Sequence, residues 1–429
     1  MTLSRRGVIC MQNKIVIITG AGFSAPAKLP LQSDVLKEMS QQPTPSSILE
    51  FDVVSDESIK FLHSFITVAI YLLEKYVDSK YAYLYDEYRN LIQAYSSKTE
   101  AIIKTVAYKS SELFSSEYYS KLVIMKETIR GLLEHSKLDI SLEDVFTSFD
   151  KTIIAGEYLE GYSHHRLDAI RQSITRMFTY YFTRRLSQHD YSTQSYTSFL
   201  RYVNAQKSQV GIITTNWDSL LETYFEKHKL DYNLCLNEPY YRFDDKRKNN
   251  QSNKGIKYIK IHGSINWFYC LNCGTLSIIE KNAHPNFLFD DNSEEECTVC
   301  HLKPNRDEIL LQPAIITPTM LKSIGNQLYR NLWTAAQREL MTATKVIFLG
   351  YSFPMADFEF RYLLQRNINH NAQIDVVLYK NDNPNKITRS NEHLKDLLPE
   401  KRYRDAFRQN SINYFYKGFD DYFKSEVNQ

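Results

Sequence analysis

Lys14-Ile15-Val16-Ile17-Ile18-Thr19-Gly20-Ala21-Gly22-Phe23-Ser24-Ala25 is the stretch on which the fold turns. The run ending at Thr19 is β-branched and apolar on both faces, the pattern of a parallel strand buried on both sides. Gly20-x-Gly22-x-x-Ala25 follows at once, then Pro26 and a helix-like segment from about Gln32 to Met39. Strand, glycine turn and helix open a nucleotide-binding βαβ unit. The glycines allow close backbone approach, and a helix N-terminus suits a pyrophosphate. A plain tight turn is the alternative. No acidic residue closes a second strand about 20 residues on, so a dehydrogenase-type dinucleotide mode is not expected.

The same kind of strand returns after a long interval. Gln209 to Thr214 leads into Thr215-Asn216-Trp217-Asp218 and a helix from Ser219 to Lys227. Ile256 to Ile261 leads into His262-Gly263, and Lys345 to Leu349 leads into Gly350-Tyr351-Ser352-Phe353-Pro354 with a helix near Asp357 to Arg366. Ile374 to Tyr379 and Ile412 to Tyr416 read as the last two strands. Four of these strands end in small or polar residues, where ligands sit in open α/β sheets. Between them the chain changes character. No glycine occurs between Gly22 and Gly131 and no proline between Pro45 and Pro239. Apolar residues recur at helical spacing in Ile59 to Val77, Leu122 to Leu133 and Ile170 to Leu186, and Ser141-Leu142-Glu143-Asp144 reads as a capping box. The expected fold is α/β: a Rossmann-like parallel sheet with a large helical insertion and a small zinc ribbon held by four cysteines. Its expected divisions are 11–40, the first part of the Rossmann-like domain, and 41–205, the helical insertion. Residues 206–268 continue the first domain, 269–305 form the zinc ribbon, and 306–429 complete the Rossmann-like domain and add a C-terminal tail.

Composition narrows the function classes. With 52 basic against 50 acidic residues in 429, there is no global electrostatic case for nucleic acid or an anionic membrane as the main partner. No stretch approaches the ~20 apolar residues of a membrane span, and the residues before Met11 lack a signal-peptide core. Of six cysteines, four fall in two C-x-x-C pairs while Cys10 and Cys235 stand alone. That is the usage of a reduced compartment with a metal site, so a cytoplasmic location is expected. The 31 tyrosines and 23 phenylalanines suit packed helices and subunit interfaces and identify no ligand.

Cys270-x-x-Cys273, then 23 residues, then Cys297-x-x-Cys300 has the spacing of a closed tetrahedral zinc site, which is structural because no position is open to substrate. His284 and His301 lie near enough to replace a cysteine, and disulfides are a further alternative. Eight residues before Cys270, His262 stands at a strand end beside a flexible glycine, and its pKa range suits a base at neutral pH; the alternative is a satisfied structural histidine. Asn216 and Asp218 could hold a sugar hydroxyl or a water, or could cap the helix that starts at Ser219. Ser352 after Gly350 could bond a ribose or phosphate, or belong to a simple turn.

Taken in order, these motifs resemble the sirtuin family. Gly20-Ala21-Gly22-Phe23-Ser24 is similar to the family's Gly-Ala-Gly-x-Ser loop, which cradles the NAD pyrophosphate. Thr215-Asn216-Trp217-Asp218 resembles its Gln-Asn-Ile-Asp. There the asparagine lies near the nicotinamide ribose and the aspartate shapes the nicotinamide pocket. His262-Gly263 matches the catalytic His-Gly, the two cysteine pairs follow as in the family's zinc ribbon, and Gly350-Tyr351-Ser352 corresponds to a Gly-x-Ser turn on the adenosine side. The likeness covers about 14–40 and 206–380. Where a deacylase sirtuin carries Gly-Ile-Pro-x-Phe-Arg, this chain has Lys28-Leu29-Pro30-Leu31-Gln32. Where it offers a strand to an acyl-lysine peptide, this chain has Gln312-Pro313-Ala314-Ile315-Ile316-Thr317-Pro318-Thr319, and prolines remove backbone donors from such a pairing.

These departures resemble the divergent sirtuin-like proteins of bacterial anti-phage defence, several of which hydrolyse NAD and some of which act with a HerA-type hexameric ATPase. The resemblance implies an NAD glycohydrolase gated by oligomerisation or by that ATPase, with His262 and Asn216 catalytic. Gly20, Ala21, Gly22, Ser24, Thr215, Asn216, Asp218, Gly350 and Ser352 would hold NAD. Two further readings stand beside it: an NAD-dependent lysine deacylase, and a scaffold that senses NAD or ADP-ribose without turnover. No acidic metal cluster supports a nuclease.

Overall fold

The computed structural model describes residues 13–29, 56–103, 111–135, 142–159, 161–192, 194–236, 240–242, 248–249, 255–270, 272–279, 299–300, 311–321, 327–378 and 399–427. The expected helix over Gln32 to Met39, the capping-box residue Ser141, Cys297, His284 and His301 fall outside these residues.

Seven strands form one sheet: β1 (Ile15–Thr19), β2 (Val210–Thr214), β3 (Tyr232–Asn233), β4 (Ile256–Lys260), β5 (Lys345–Leu349), β6 (Gln373–Val377) and β7 (Ile412–Phe415). Their order is β7-β6-β5-β1-β2-β4-β3 and every pairing is parallel. The protein is thus α/β with a parallel sheet. All five residues of β1 and of β2 are buried, because helices cover both faces and leave no wet side for a polar alternation. Gly211 breaks the β-branched run of β2 for a packing reason. A Cβ there would lie 2.7 Å from the Glu339 carboxylate, which is paired with Lys14 and Lys257 beneath the sheet. From β1 the chain builds outward in both directions, through β2 on one side and β5 on the other, so a crevice opens at the β1/β5 reversal.

The long interval between β1 and β2 is helical through most of its described part: α1 (Asp56–Leu72), α2 (Tyr83–Ile103), α3 (Ser111–His135), α4 (Leu142–Ala155), α5 (His164–Ser187) and α6 (Thr197–Ala205). Helix α1 packs on α3 and α5, and α4 packs on α5. The aromatic surplus is largely spent inside. Tyr71 meets Phe149 and Tyr162 edge-on, and the Arg166 guanidinium lies between the rings of Tyr85 and Tyr162 at 3.5 and 3.8 Å. After β2 come α7 (Leu220–Lys227), α8 (Gln327–Met341) and α9 (Phe358–Asn367), of which α8 packs on α9 and on β4.

A second sheet of five strands runs in the order Leu311–Ile315, Gly263–Cys270, Leu276–Ile278, Tyr240–Arg242, Lys248–Asn249. Its longest strand continues directly from β4, with only Ile261 and His262 between them. Helix α5 packs against this strand and its neighbour at Leu311–Ile315. His262 therefore sits at the joint between the two sheets, with the helical layer standing over one side.

Candidate active site

Parallel register sets Thr19, Thr214, Lys260 and Leu349 level at one end of the sheet. The loops leaving these four residues build the site. They are tied to each other by backbone bonds: Thr215 N–H to Thr19 O at 3.1 Å, Gly20 N–H to Leu349 O at 3.1 Å, Gly22 N–H to Gly350 O at 2.9 Å, and Ile261 N–H to Thr214 O at 3.0 Å. The glycines serve this closeness. A Cβ on Gly20 would meet Gly350 O at 2.8 Å, and one on Gly350 would meet Phe23 N at 2.3 Å, while Gly350 itself adopts a left-handed φ of +58°.

A side-chain network crosses the β1 and β2 loops. Asn216 Nδ2 donates to Gly20 O and to Ser24 Oγ, both at 2.9 Å. The Ser24 hydroxyl in turn donates to Asp218 Oδ2 at 2.8 Å, and Asp218 Oδ1 accepts from the Leu220 N–H at 3.1 Å. Asp218 thus bonds the start of helix α7 with one oxygen, as the capping alternative has it, and anchors the loop after β1 with the other. Both amide hydrogens of Asn216 are engaged within the protein, so the group it presents to a ligand is the acceptor Oδ1. An acceptor suits a sugar hydroxyl or a water.

His262 is 5% exposed, and its Nε2 lies 4.0 Å from Asp357 Oδ1. The next residue, Gly263, has φ +78°, and a Cβ there would fall 1.9 Å from Ala314 O, so the chain can turn from one sheet into the other only at a glycine. One open cleft brings together Ala21, Ser24, Thr215, Asn216, Asp218 and His262 with Asp357. The rest of its lining is Leu29, Phe182, Trp217, Ile316, Thr317 and Pro318. Gly20, Gly22 and Gly350 lie behind the lining as the packed turn that supports it, and Ser352 is exposed outside it.

Three contributors carry little signal in the sequence. Asp357 lies just beyond a turn motif. Phe182 comes from α5, far away in the chain, and its ring meets Trp217 edge-on while Phe178 stacks on the same indole. Lys260 is wholly buried at the end of β4. Its ammonium donates to Asp218 O and to Glu222 Oε1 (2.7 Å), and Tyr258 OH donates to Glu222 Oε2 (3.2 Å). Burial pushes the Glu222 carboxyl up, and Lys260 opposes that shift. A lysine inside the apolar run Ile256-Lys257-Tyr258-Ile259-Lys260-Ile261 was the only available clue.

The first cysteine pair forms a knuckle at the far end of the long second-sheet strand. Gly274, at φ +70°, lets its N–H return to Cys270 O at 2.8 Å. The sulfurs of Cys270, Cys273 and Cys300 lie within 4.8 Å of one another, and those of Cys270 and Cys300 are 3.7 Å apart. Sulfurs at the corners of a tetrahedron about zinc, at ~2.3 Å from the metal, stand ~3.8 Å apart. The three thiols fit such an ion, and Cys297 lies outside the described residues.

No curated protein matches the chain. Solved structures are similar to it at low identity. One, "The Structural basis of Sirtuin Substrate Affinity", shares 13% identity over 85% of this chain and 82% of that one, with a TM-score of 0.33. A second, Sir2Tm bound to a propionylated peptide, shares 12% over 97% and 92%, with a TM-score of 0.35. A third, a Sir2 homolog–NAD complex, shares 12% over 91% and 90%, also at 0.35. The family model that matches is the SIR2-like domain, over residues 210–398, a segment that supplies Asn216, Asp218, His262 and Asp357 and whose match supports a sirtuin-like family.

Proposed function

We propose that the chain is an NAD glycohydrolase that releases nicotinamide and ADP-ribose. In this reaction the bond from ribose C1′ to the nicotinamide nitrogen breaks, its electron pair going to that nitrogen. A water oxygen bonds C1′, and one water proton passes to His262 and on to solvent. Asn216 Oδ1 would hold the water or a ribose hydroxyl. The carboxylates of Asp218 and Asp357 would favour the positive charge that develops on the ring. Zinc at the cysteines would brace the second sheet and take no part in the chemistry.

The observation that carries hydrolysis over acyl transfer is the state of Ile316. Its N–H donates to His262 O at 2.8 Å, and its carbonyl accepts from the Trp217 indole at 3.1 Å. Thr317 beside it accepts from Arg171, and Pro318 has no N–H to give. At Ile316 the segment expected to pair with an acyl-lysine peptide has both backbone groups taken within its own chain, which favours water as the acceptor. We place the activity in bacterial antiviral defence, in a homo-oligomer or with a HerA-like ATPase that restrains it. A monomer in sedimentation at micromolar concentration, with no such gene adjacent, would remove that part of the reading.

Purified protein, alone or with its partner, should consume NAD, and His262→Ala should slow this by about 100- to 10,000-fold, the usual worth of a general base. NAD loss unchanged in His262→Ala would contradict the assignment.

A further inference from the structure

Asp357 occupies the position just before helix α9, where an aspartate ordinarily bonds the helix's own first N–H groups and stabilises it. Here its side chain makes no such cap bond. The carboxylate is turned instead toward the cleft. Oδ2 accepts from Tyr351 OH at 3.0 Å, and Oδ1 faces His262 Nε2 at 4.0 Å.

The support behind it is rigid. Tyr351 is buried, its carbonyl accepts from Tyr403 OH at 2.6 Å, and its ring packs among Phe348, Phe353 and Phe360. Burial first, and then Asp357 itself, hold the Tyr351 phenol well above its ordinary range, so it remains a neutral donor. The loop between takes left-handed backbone at both Gly350 (φ +58°) and Phe353 (φ +56°), a conformation costly for phenylalanine. Phe360, one turn into the same helix, sets its ring edge-on to His262 at 6.3 Å. A forgone cap, a strained loop and a buried tyrosine thus converge on one carboxylate beside one imidazole.

We infer that Asp357 is the positioning residue of His262: held by Tyr351, it orients the imidazole and favours its protonated form as the ring takes a proton. This rests on the hydrolase reading for its place in the reaction, but the pairing itself is a property of the resting protein. A carboxylate at this distance strengthens the base without touching the substrate. Charged groups near this site among the described residues include Asp218 in the same lining, Lys260, which holds the Asp218 carbonyl, and Arg361, whose guanidinium lies over the Phe353 ring at 5.0 Å.

The test is a titration of the His262 imidazole by carbon-13 NMR in the full chain labelled at histidine, with its signal identified by its loss in His262→Ala. Asp357→Asn should lower the His262 pKa by about one unit or more, and Asp357→Glu should restore at least half of that shift. In NAD turnover the acid limb should move the same way, with kcat falling more than KM rises. An unchanged pKa in Asp357→Asn, or an equal shift in the Asn and Glu variants, would overturn the pairing. Should the wild-type protein leave NAD intact, the hydrolase reading would fall, while the titration would still decide the role of Asp357.

Discussion

The polar and apolar walls of the cleft are built on opposite principles. Ser24, Asn216, Asp218, His262 and Asp357 arrive from strand ends and set oxygen and nitrogen atoms in the lining of the cleft. Phe182, Trp217, Ile316 and Pro318 present carbon, and the backbone groups of Ile316 are already satisfied inside the protein. Under the proposed hydrolysis the polar groups would bind and polarise, and the apolar ones would keep out competing acceptors. The contrast teaches that the hydrogen-bonding groups of the cleft are gathered at strand ends, while beside them the backbone of Ile316 is already taken.

The largest way to break the contrast is from beneath the polar wall. Lys260→Met should leave Glu222 buried without its partner and cost on the order of 3–5 kcal/mol of stability, read by chemical denaturation. It should also loosen Asp218, whose carbonyl Lys260 holds. A variant of unchanged midpoint would show that this network does not carry the loop.

A slightly smaller effect lies in the helical layer behind the apolar wall. Burial pushes the His63 imidazole down to about 4. The unfolded chain takes up this proton below pH ~6.5 and the folded protein only near pH 4. Stability from the neutral ring is therefore full above pH ~6.5 and is lost as pH falls toward 4, on the order of 3 kcal/mol in all. His63→Gln should flatten the stability profile in that window, and a slope equal to that of the wild type would contradict the assignment.

The mildest perturbation joins the layer to the wall. Arg171 pairs with Asp150 of α4 at 2.6 Å and donates to Thr317 Oγ1 at 3.1 Å. The residue before Thr317, Ile316, is bonded to His262 O. Arg171→Ala should cost about 1–2 kcal/mol in stability and raise the KM for NAD a few-fold. If acyl-peptide turnover appeared in this variant, the closed wall would be the element that excludes it.

The polar wall was far more legible in the sequence than the apolar one, and the reason is local geometry. Most of its polar groups follow a β-branched strand by one to five residues, so strand and turn chemistry alone set them at a sheet end. Six of the seven strands of the parallel sheet and the α/β class follow from the same runs, while the two-residue edge strand Tyr232–Asn233 has no such run. The apolar wall depends on contacts between residues far apart in sequence. Phe182 reaches Trp217 from the helical layer, and nothing in the helical periodicity of α5 says which of its rings will face the cleft. Lys260 and Asp357 were hidden for different reasons. Lys260 breaks an apolar pattern, which a pattern search treats as noise, and Asp357 stands where an ordinary helix cap is expected. Ser24 and Asp218 each carried a local interpretation, and only the folded chain reveals the 2.8 Å bond that joins them across 194 residues.

The central claim, that water is the acceptor, is tested most directly by following nicotinamide and ADP-ribose together by chromatography, with and without an acetyl-lysine peptide. The account predicts that both products form in equal amounts without peptide, that peptide changes neither rate, and that His262→Ala slows both by about 100-fold or more. Nicotinamide release that requires the peptide, with the acyl group recovered on ADP-ribose, would contradict it.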